Sequence, residues 1–534
     1  MAKAMATEKL DQLFEFVDSQ HGNPGDLSAY GPEIEEMTDS EVESLLAELY
    51  TRLAIKEKQN ETGLAAISKL VFVSLIKRAK TQVGCMQASP DHEQIVLQHL
   101  RSIYPRLDAE SEMRHYLLAW LAMIGTENSL AVFNDFVIND PPMHSRGIVV
   151  AFQPLFSDRA PIAALAFPRL LEGLQHVHFG APILDLANFL TRGGLVVEHP
   201  ATCRSAALCA MLQSLTNHLG RIESGNFPRD ASPTEISDKL EQSVALVVSL
   251  CDALALIGQE AAIPKLRDAM ELKHRRIQVE AAAALCRLGD KASKDKLFEL
   301  LDEPVTRLRV IQYAEELGLA DEIDDQFKTD DKRAESQLAL WLSQPSQMGF
   351  APSEVAVIDR RTLFWPGYND AVECYLVEFK FRSPSGVYRN VGITGPLTFV
   401  FSADLTGLSR FDQYAAFAGW HAAHEDILEI PYQRACVAYR NACDTRLREI
   451  ADQGYQHVEP LLFGLFFGEH ILVASARKVS ESGQVIADGQ QVFWFSQCSE
   501  EAPVCGELAY CIYKGRRLLT HFNPQLDENV EAAE

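Results

Sequence analysis

The chain has 534 residues, too many for a single hydrophobic core, so two or more domains are expected. Hydrophobic residues make up 47% and charged residues 23%, a composition typical of soluble globular proteins rather than disordered or membrane proteins. The net charge of −25 opposes binding to the phosphate backbone of nucleic acids and is compatible with basic protein partners. The longest apolar runs are shorter than a membrane span, and the N-terminus has no apolar signal core, so we expect a cytoplasmic protein that does not enter a membrane.

Residues 1–40 are predicted to form an N-terminal arm. A short amphipathic stretch, Leu10–Val17, precedes a segment with several glycines and prolines that ends at Pro32. Helical periodicity then runs from about residue 40 to 341, broken by a predicted surface loop at Gly220–Thr234. We therefore place a helical domain at 41–342.

Four helical phrases that end in glycine recur along this domain: Leu121–Gly125, Leu254–Gly258, Leu285–Gly289 and Ala314–Gly318. The last three glycines are 31 and 29 residues apart, a period that fits one pair of helices. Because a helix pair cannot bury its own apolar face, each pair needs a neighbour on both sides. The period predicts an all-α helical-repeat solenoid, a fold whose surface more often holds a partner than performs chemistry.

The clearest repeat predicts a helix over His274–Leu288. Its apolar side chains, from Ile277 to Leu285, recur at helical spacing, and small alanines among them let a second helix pack closely. Gly289 suits the left-handed conformation at a helix C-terminus, and Asp290 can accept hydrogen bonds from the free amides of the next helix.

The runs Val279–Leu297 and Ala255–Leu266 resemble the HEAT-like repeats first described in phycobilisome bilin lyases. The resemblance covers about 115–320 and is strongest over 241–320. It implies an armadillo-type α-α superhelix. It carries no catalytic residue to this chain, because the repeat is structural and occurs in unrelated scaffolds.

The helical period stops near Ser343, where we predict a linker at 343–352 and then a C-terminal α+β domain at 353–523 with a mostly antiparallel sheet. Alternating side chains predict a strand over Glu373–Arg382, and the turn residues after it predict a hairpin partner over Val387–Thr394.

More strands are predicted after a helical insert, and the last of them is Leu508–Tyr513. The chain ends in a predicted acidic tail at 524–534. No family resemblance is evident in this domain.

The helical insert contains the one polar group of residues that could bind a metal. His421 and His424 are three residues apart beside Glu425, so two imidazoles and a carboxylate could meet on one helix face. The spacing differs from that of known zinc-protease helices, and the competing interpretation is an aromatic and histidine stripe packed against the sheet.

No nucleotide-binding loop, dinucleotide fingerprint or serine-hydrolase elbow occurs in the sequence, so we predict no catalytic residue and no cofactor. The leading hypothesis is a cytoplasmic protein-binding or scaffold protein, without catalytic activity, whose solenoid surface holds protein partners. The alternative is an enzyme, either one that handles tetrapyrroles as bilin lyases do or a metal-assisted hydrolase that uses the C-terminal domain.

Overall fold

The computed structural model describes residues 30–54, 61–81, 90–143, 147–226, 233–344, 346–384, 386–401, 403–431, 437–466, 469–495 and 506–526. It describes the backbone alone at 61–62, 233–235, 423–431, 438, 465–466, 469, 506–507 and 510. Most of the predicted N-terminal arm and of the predicted acidic tail lies outside the described residues.

The chain divides into two compact units, Met1–Leu297 and Phe298–Glu534. The second unit begins before Ser343, where the periodicity of the sequence changes from that of helices to that of strands. The helices Pro304–Glu316 and Asp330–Leu342 therefore belong to the second unit together with the strands.

The described part of the first unit is helical. Its helices are α1 (Gly31–Glu35), α2 (Asp39–Ala54), α3 (Glu61–Thr81), α4 (Pro90–Ile103), α5 (Met113–Ile124), α6 (Glu127–Asn139), α7 (Ile148–Phe156), α8 (Val177–Arg192), α9 (Ser205–Glu223), α10 (Pro233–Ile257), α11 (Ile263–Met270) and α12 (Arg275–Arg287). The next helix, α13 (Ser293–Glu299), spans the division between the units. Short 3₁₀ segments, such as Arg169–Gln175 and Thr202–Arg204, connect some of them.

Most helices of the first unit contact the helix two places further along the chain. Such pairs are α2–α4, α3–α5, α5–α7, α8–α10, α9–α11 and α10–α12. One continuous hydrophobic core runs through these contacts from Ile34 to Leu285. In α12 every residue from Ile277 to Leu285 is buried, because helices pack on more than one of its faces.

The predicted helix ends at glycine are confirmed. Gly125, Gly258, Gly289 and Gly318 have φ values of 66°, 76°, 86° and 70°, the left-handed conformation that glycine adopts without a Cβ clash. The Asp290 carboxylate accepts a hydrogen bond from the hydroxyl of Ser293, the first residue of α13, at 2.7 Å, and the predicted bonds from amides of that helix stay a prediction. This hydrogen bond and those from the Arg267 guanidinium lower the pKa of Asp290.

The loop predicted at Gly220–Thr234 is wrong at its start. Helix α9 continues through Gly220 to Glu223, and α10 begins at Pro233. Residues 227–232 lie outside the described residues. A glycine inside a helix costs about 1 kcal/mol relative to alanine, and the apolar residues of α9 that pack on its neighbours outweigh that cost.

The second unit contains two antiparallel sheets, which confirms the predicted mostly antiparallel α+β region. Sheet A has the order β1 (Glu354–Phe364), β2 (Ala371–Ser383), β3 (Gly386–Thr394) and β4 (Phe399–Val400). Sheet B has the order β5 (Ile427–Pro431), β6 (Gln456–Phe466), β7 (Glu469–Lys478), β8 (Glu481–Ala487) and β9 (Val492–Trp494). The predicted hairpin is the pair β2–β3, in which Ser383 pairs with Gly386.

The helices of the second unit are α14 (Pro304–Glu316), α15 (Asp330–Leu342), α16 (Arg410–Asp426), α17 (Val437–Asp452) and α18 (Gly506–Phe522). The strand predicted at Leu508–Tyr513 is wrong, because these residues lie in α18. Ala509, Ile512, Tyr513 and Leu519 all enter the hydrophobic core, and their spacing is that of one helix face.

Five layers result from the two sheets and their helices. Tyr375 and Val377 of sheet A pack on α15, whereas Leu376 points to the opposite face and packs with residues of α16 and α18. In sheet B, Val473 joins that same central core and Leu472 packs on the α17 side. The order of layers is α15, sheet A, the α16–α18 pair, sheet B and α17.

The two halves of this unit have the same order of elements. A helix, four antiparallel strands and a second helix occur as α15–β1–β2–β3–β4–α16 and again as α17–β6–β7–β8–β9–α18. The stretch Gly395-Pro-Leu-Thr-Phe-Val-Phe-Ser402 matches Gly489-Gln-Gln-Val-Phe-Trp-Phe-Ser496 in spacing, and both glycines have positive φ, 117° and 90°. The second unit therefore contains an internal duplication, and the duplicated element differs from the helical repeats of the first unit.

Helices α16 and α18 cross at equivalent glycines of the two halves. A Cβ placed on Gly419 would lie 2.5 Å from the carbonyl oxygen of Cys511, and one on Gly515 would lie 1.2 Å from that of Ala415. Each glycine is four residues after the residue whose carbonyl the other glycine approaches. The contacts are thus reciprocal, as expected if the two halves face each other about a local two-fold axis.

Candidate functional site

Two clefts flank α9 in the first unit. The first has a volume of about 530 Å³ and lies between the N-terminal half of α9, the 3₁₀ segment Arg169–Gln175 and the end of α6. Its lining consists of Ile138, Asn139, Leu171, Glu172, Leu174, Gln175, Arg204, Ala207, Leu208 and Met211. Six of these ten side chains are apolar, so the cleft can take up an apolar group and orient it with a few polar ones.

The walls of the first cleft are held by side chains that bond to backbone carbonyls. Gln175 donates from Nε2 to the Ile138 carbonyl at 3.2 Å, which ties the 3₁₀ segment to the end of α6. Arg204 donates from Nη1 to the Leu171 carbonyl at 3.3 Å, which ties the start of α9 to the same segment. The cleft is therefore formed before any ligand arrives.

Arg204 is positioned by a turn that His199 organises. Nδ1 of the buried His199 accepts a hydrogen bond from the Ala201 amide at 3.1 Å, and the His199 carbonyl accepts from the Thr202 hydroxyl at 2.7 Å. Ala201 in turn accepts from the Arg204 amide at 2.8 Å. Because Nδ1 is an acceptor, the ring proton lies on Nε2, which donates to Asn188 at 3.0 Å.

The same polar network continues between α8 and α10. Asn188 donates to the Ser249 carbonyl at 3.1 Å, and the Ser249 hydroxyl lies 2.6 Å from Asp185. Burial lowers the pKa of His199 to about 4 and raises the pKa of Asp185 to about 6. Asp185 is exposed to solvent, which screens the effect of its surroundings on the carboxyl group.

The second cleft, of about 390 Å³, lies between the C-terminal half of α9 and α11. Its lining is Thr216, Asn217, Gly220, Arg221, Glu223, Ser224, Asp268, Glu271 and Leu272. Three carboxylates against one guanidinium make it acidic. Glu223 accepts hydrogen bonds from the Lys273 amide at 2.9 and 3.0 Å, so one of the three carboxylates also binds the turn between α11 and α12.

The metal site predicted at His421, His424 and Glu425 is described only in part. All three residues lie on α16, where His421 is half-buried with the rings of Trp365 and Tyr368 at centroid distances of 6.5 and 6.4 Å. The side chains of His424 and Glu425 lie outside the described residues, so the site stays a prediction. Where side chains are described, no group of three or more His, Cys, Asp or Glu residues could hold a metal ion.

The basic run Lys514–Arg517 makes polar contacts that no sequence pattern predicts. Lys514 is fully buried, Arg516 forms an ion pair with buried Asp412, and Arg517 pairs with buried Asp488 at 3.0 Å. The Tyr513 hydroxyl also donates to Asp488, and these partners lower the pKa of that carboxyl despite its burial. This run is a structural element of the central helix pair rather than a basic surface.

One described helical segment, Ile236–Ile257, is long and apolar enough to cross a membrane, with a mean hydropathy of 1.8. In the structure 61% of its most apolar window is buried, and the helix packs on α8, α9 and α12. A helix in the core of a soluble protein can have the same length, hydropathy and burial. A second span would require the pair Ile148–Phe156 and Ala160–Ala166, which is bent by 117°.

Neither a protein-family model nor any curated protein matches the chain.

Proposed function

We propose that this chain is a cytoplasmic protein-binding scaffold, built in its first unit on a HEAT-like α-solenoid of the type found in phycobilisome bilin lyases. The glycine-ended helical phrases support this assignment, and so do the contacts between helices two places apart, such as α8–α10 and α10–α12. In a stack of helix pairs, each pair contacts its neighbours through these second-neighbour contacts.

The observation that carries the binding function is the first cleft beside α9. It is formed by side chain to backbone bonds, is mostly apolar and has a volume of about 530 Å³. Met211 and Leu174 supply adaptable apolar contacts, and Gln175 and Asn139 can bond to a peptide backbone. A segment of a protein partner is the ligand that suits such a cleft, whereas the net charge of −25 disfavours nucleic acid.

Site-specific photo-cross-linking in cells that express the protein tests this proposal. A photoreactive amino acid at Met211 or Ala207, both in the first cleft, should give discrete cross-linked species with another protein. The same group at the exposed Gln153 on α7 is the matched control and should not give them.

The cross-links should also disappear when a second substitution, Leu174→Glu, introduces a charge into the cleft. If neither cleft position gives a cross-link while the purified chain converts a small molecule, the scaffold proposal is wrong and the enzyme hypothesis replaces it.

A further inference from the structure

The guanidinium of Arg204 is the chemically distinctive group of the first cleft. Only Nη1 is engaged, with the Leu171 carbonyl, and within the described part of the chain Arg204 forms no ion pair. Among the described residues, none accepts from its remaining side-chain N–H groups, although the chain has a large excess of carboxylates. An arginine fork of this kind binds a carboxylate through two parallel hydrogen bonds.

The start of α9 adds to the positive character of this position. Helix α9 has 19 residues, no acidic residue in its first turn and no side-chain hydrogen bond at its N-cap, Arg204. Ala207, in that first turn, lines the cleft. The positive end of the helix dipole therefore acts together with the guanidinium, and both favour a negative group.

Apolar side chains surround this positive position. Leu171, Leu174, Leu208 and Met211 line the cleft, and the first three are buried. An acid bound by Arg204 would thus lie beside a surface that excludes water, where an ion pair is stronger than in bulk solvent. Glu172, exposed on the cleft, would repel a second acidic group.

We propose that the first cleft recognises a segment of the protein partner in which one carboxylate lies next to a bulky aliphatic side chain. Arg204 pairs the carboxylate, and the leucines and Met211 enclose the aliphatic group. The inference rests on the proposed protein-binding function and specifies the chemistry of the partner.

Selection from a random peptide display library against the full-length chain tests the specificity. The enriched peptides should share a single Asp, Glu or free C-terminal carboxylate beside Leu, Ile, Val or Met. They should not be enriched by Arg204→Gln. Enrichment of basic or uncharged peptides, or of none, overturns the proposal.

The pairing itself is tested by a double-mutant cycle with an enriched peptide labelled for fluorescence anisotropy. Replacing its carboxylate by the neutral amide should weaken binding to the wild-type chain about tenfold or more, but should change binding to Arg204→Gln by less than about twofold. When the acid is the C-terminal one, amidation of the peptide serves as the same change and identifies the source of the carboxylate.

Arg221→Gln, on the same helix but in the second cleft, is the matched control and should bind as the wild type does. Arg204→Lys, which keeps the charge but not the fork, should bind with intermediate affinity. Thermal unfolding of each variant separates lost binding from lost folding. If cross-links from Met211 persist in Arg204→Gln, the carboxylate inference is wrong while the scaffold function stands.

Discussion

Replacing His199 by asparagine is expected to remove much of the acid sensitivity of the first unit. His199 is only 4% exposed, and burial lowers its pKa from 6.5 to about 4. Between these values the unfolded chain binds a proton that the folded chain does not. The contribution of His199 to stability is therefore fully present above pH 6.5 and is lost as the pH falls towards 4. The difference between the two pKa values corresponds to about 3 kcal/mol.

Asp185 acts in the opposite direction over nearly the same pH range. Its pKa rises from 3.8 to about 6 in the folded state, so the folded chain holds the extra proton and is favoured below pH 3.8. That contribution is lost as the pH rises through 6. Because Asp185 is exposed, solvent screening reduces its effect to about 1 kcal/mol or less. Asp185→Asn should therefore make the loss of stability in acid steeper, whereas His199→Asn should make it shallower.

The assay is urea unfolding at several pH values between 7 and 4.5. After equilibration, every sample receives a brief hydrogen-exchange pulse at one fixed pH. Mass spectrometry then measures the exchange of peptides from α8 and α10. These peptides report the network directly and are independent of the second unit. His218→Asn, an exposed histidine on α9, is the control and should keep the wild-type dependence on pH. An unchanged slope in His199→Asn would refute the assignment of acid sensitivity to His199.

Leu285→Ala should destabilise the first unit by about 2 to 5 kcal/mol, since this fully buried leucine leaves a cavity in the core, and chemical denaturation measures the loss. Gly220→Ala should stabilise that unit by up to about 1 kcal/mol, because the position is helical and its added Cβ would make only an ordinary contact at 3.7 Å; a lower midpoint of thermal unfolding would contradict this. Gly515→Ala should prevent normal packing of α18 on α16, where the added Cβ would lie 1.2 Å from a carbonyl oxygen, so the soluble yield or near-ultraviolet circular dichroism should fall. The double replacement of His421 and His424 by alanine should leave elemental analysis of the purified chain unchanged if the two are packing residues, whereas loss of one bound divalent ion per chain would establish the metal site.

Local patterns in the sequence determined several parts of this fold. The glycines at the ends of α5, α10, α12 and α14 were recognisable because only glycine adopts the left-handed conformation there without strain. The β2–β3 hairpin was recognisable because its alternation and its turn lie close together in the chain. The change from helices to strands was also recognisable, because a period of 3.6 or of 2 can be read from a few consecutive residues.

Features that depend on distant parts of the chain were decided by the tertiary structure. Leu508–Tyr513 is a short run of apolar residues that could form a buried strand, but α18 forms because packing against α16 and both sheets buries a helical face. The run Lys514–Arg517 is basic in sequence, yet Asp412 and Asp488, which neutralise it, come from elsewhere in the second unit.

The candidate site likewise depends on contacts between distant parts of the chain. Arg204 has no distinctive sequence neighbour, and its role follows from Leu171, Gln175 and Met211 meeting it around one cleft. His199 likewise acquires its lowered pKa only through burial against α8. Sequence periodicity determines which face of a helix is apolar, but the side chains that converge on a cleft are set by how the helices pack.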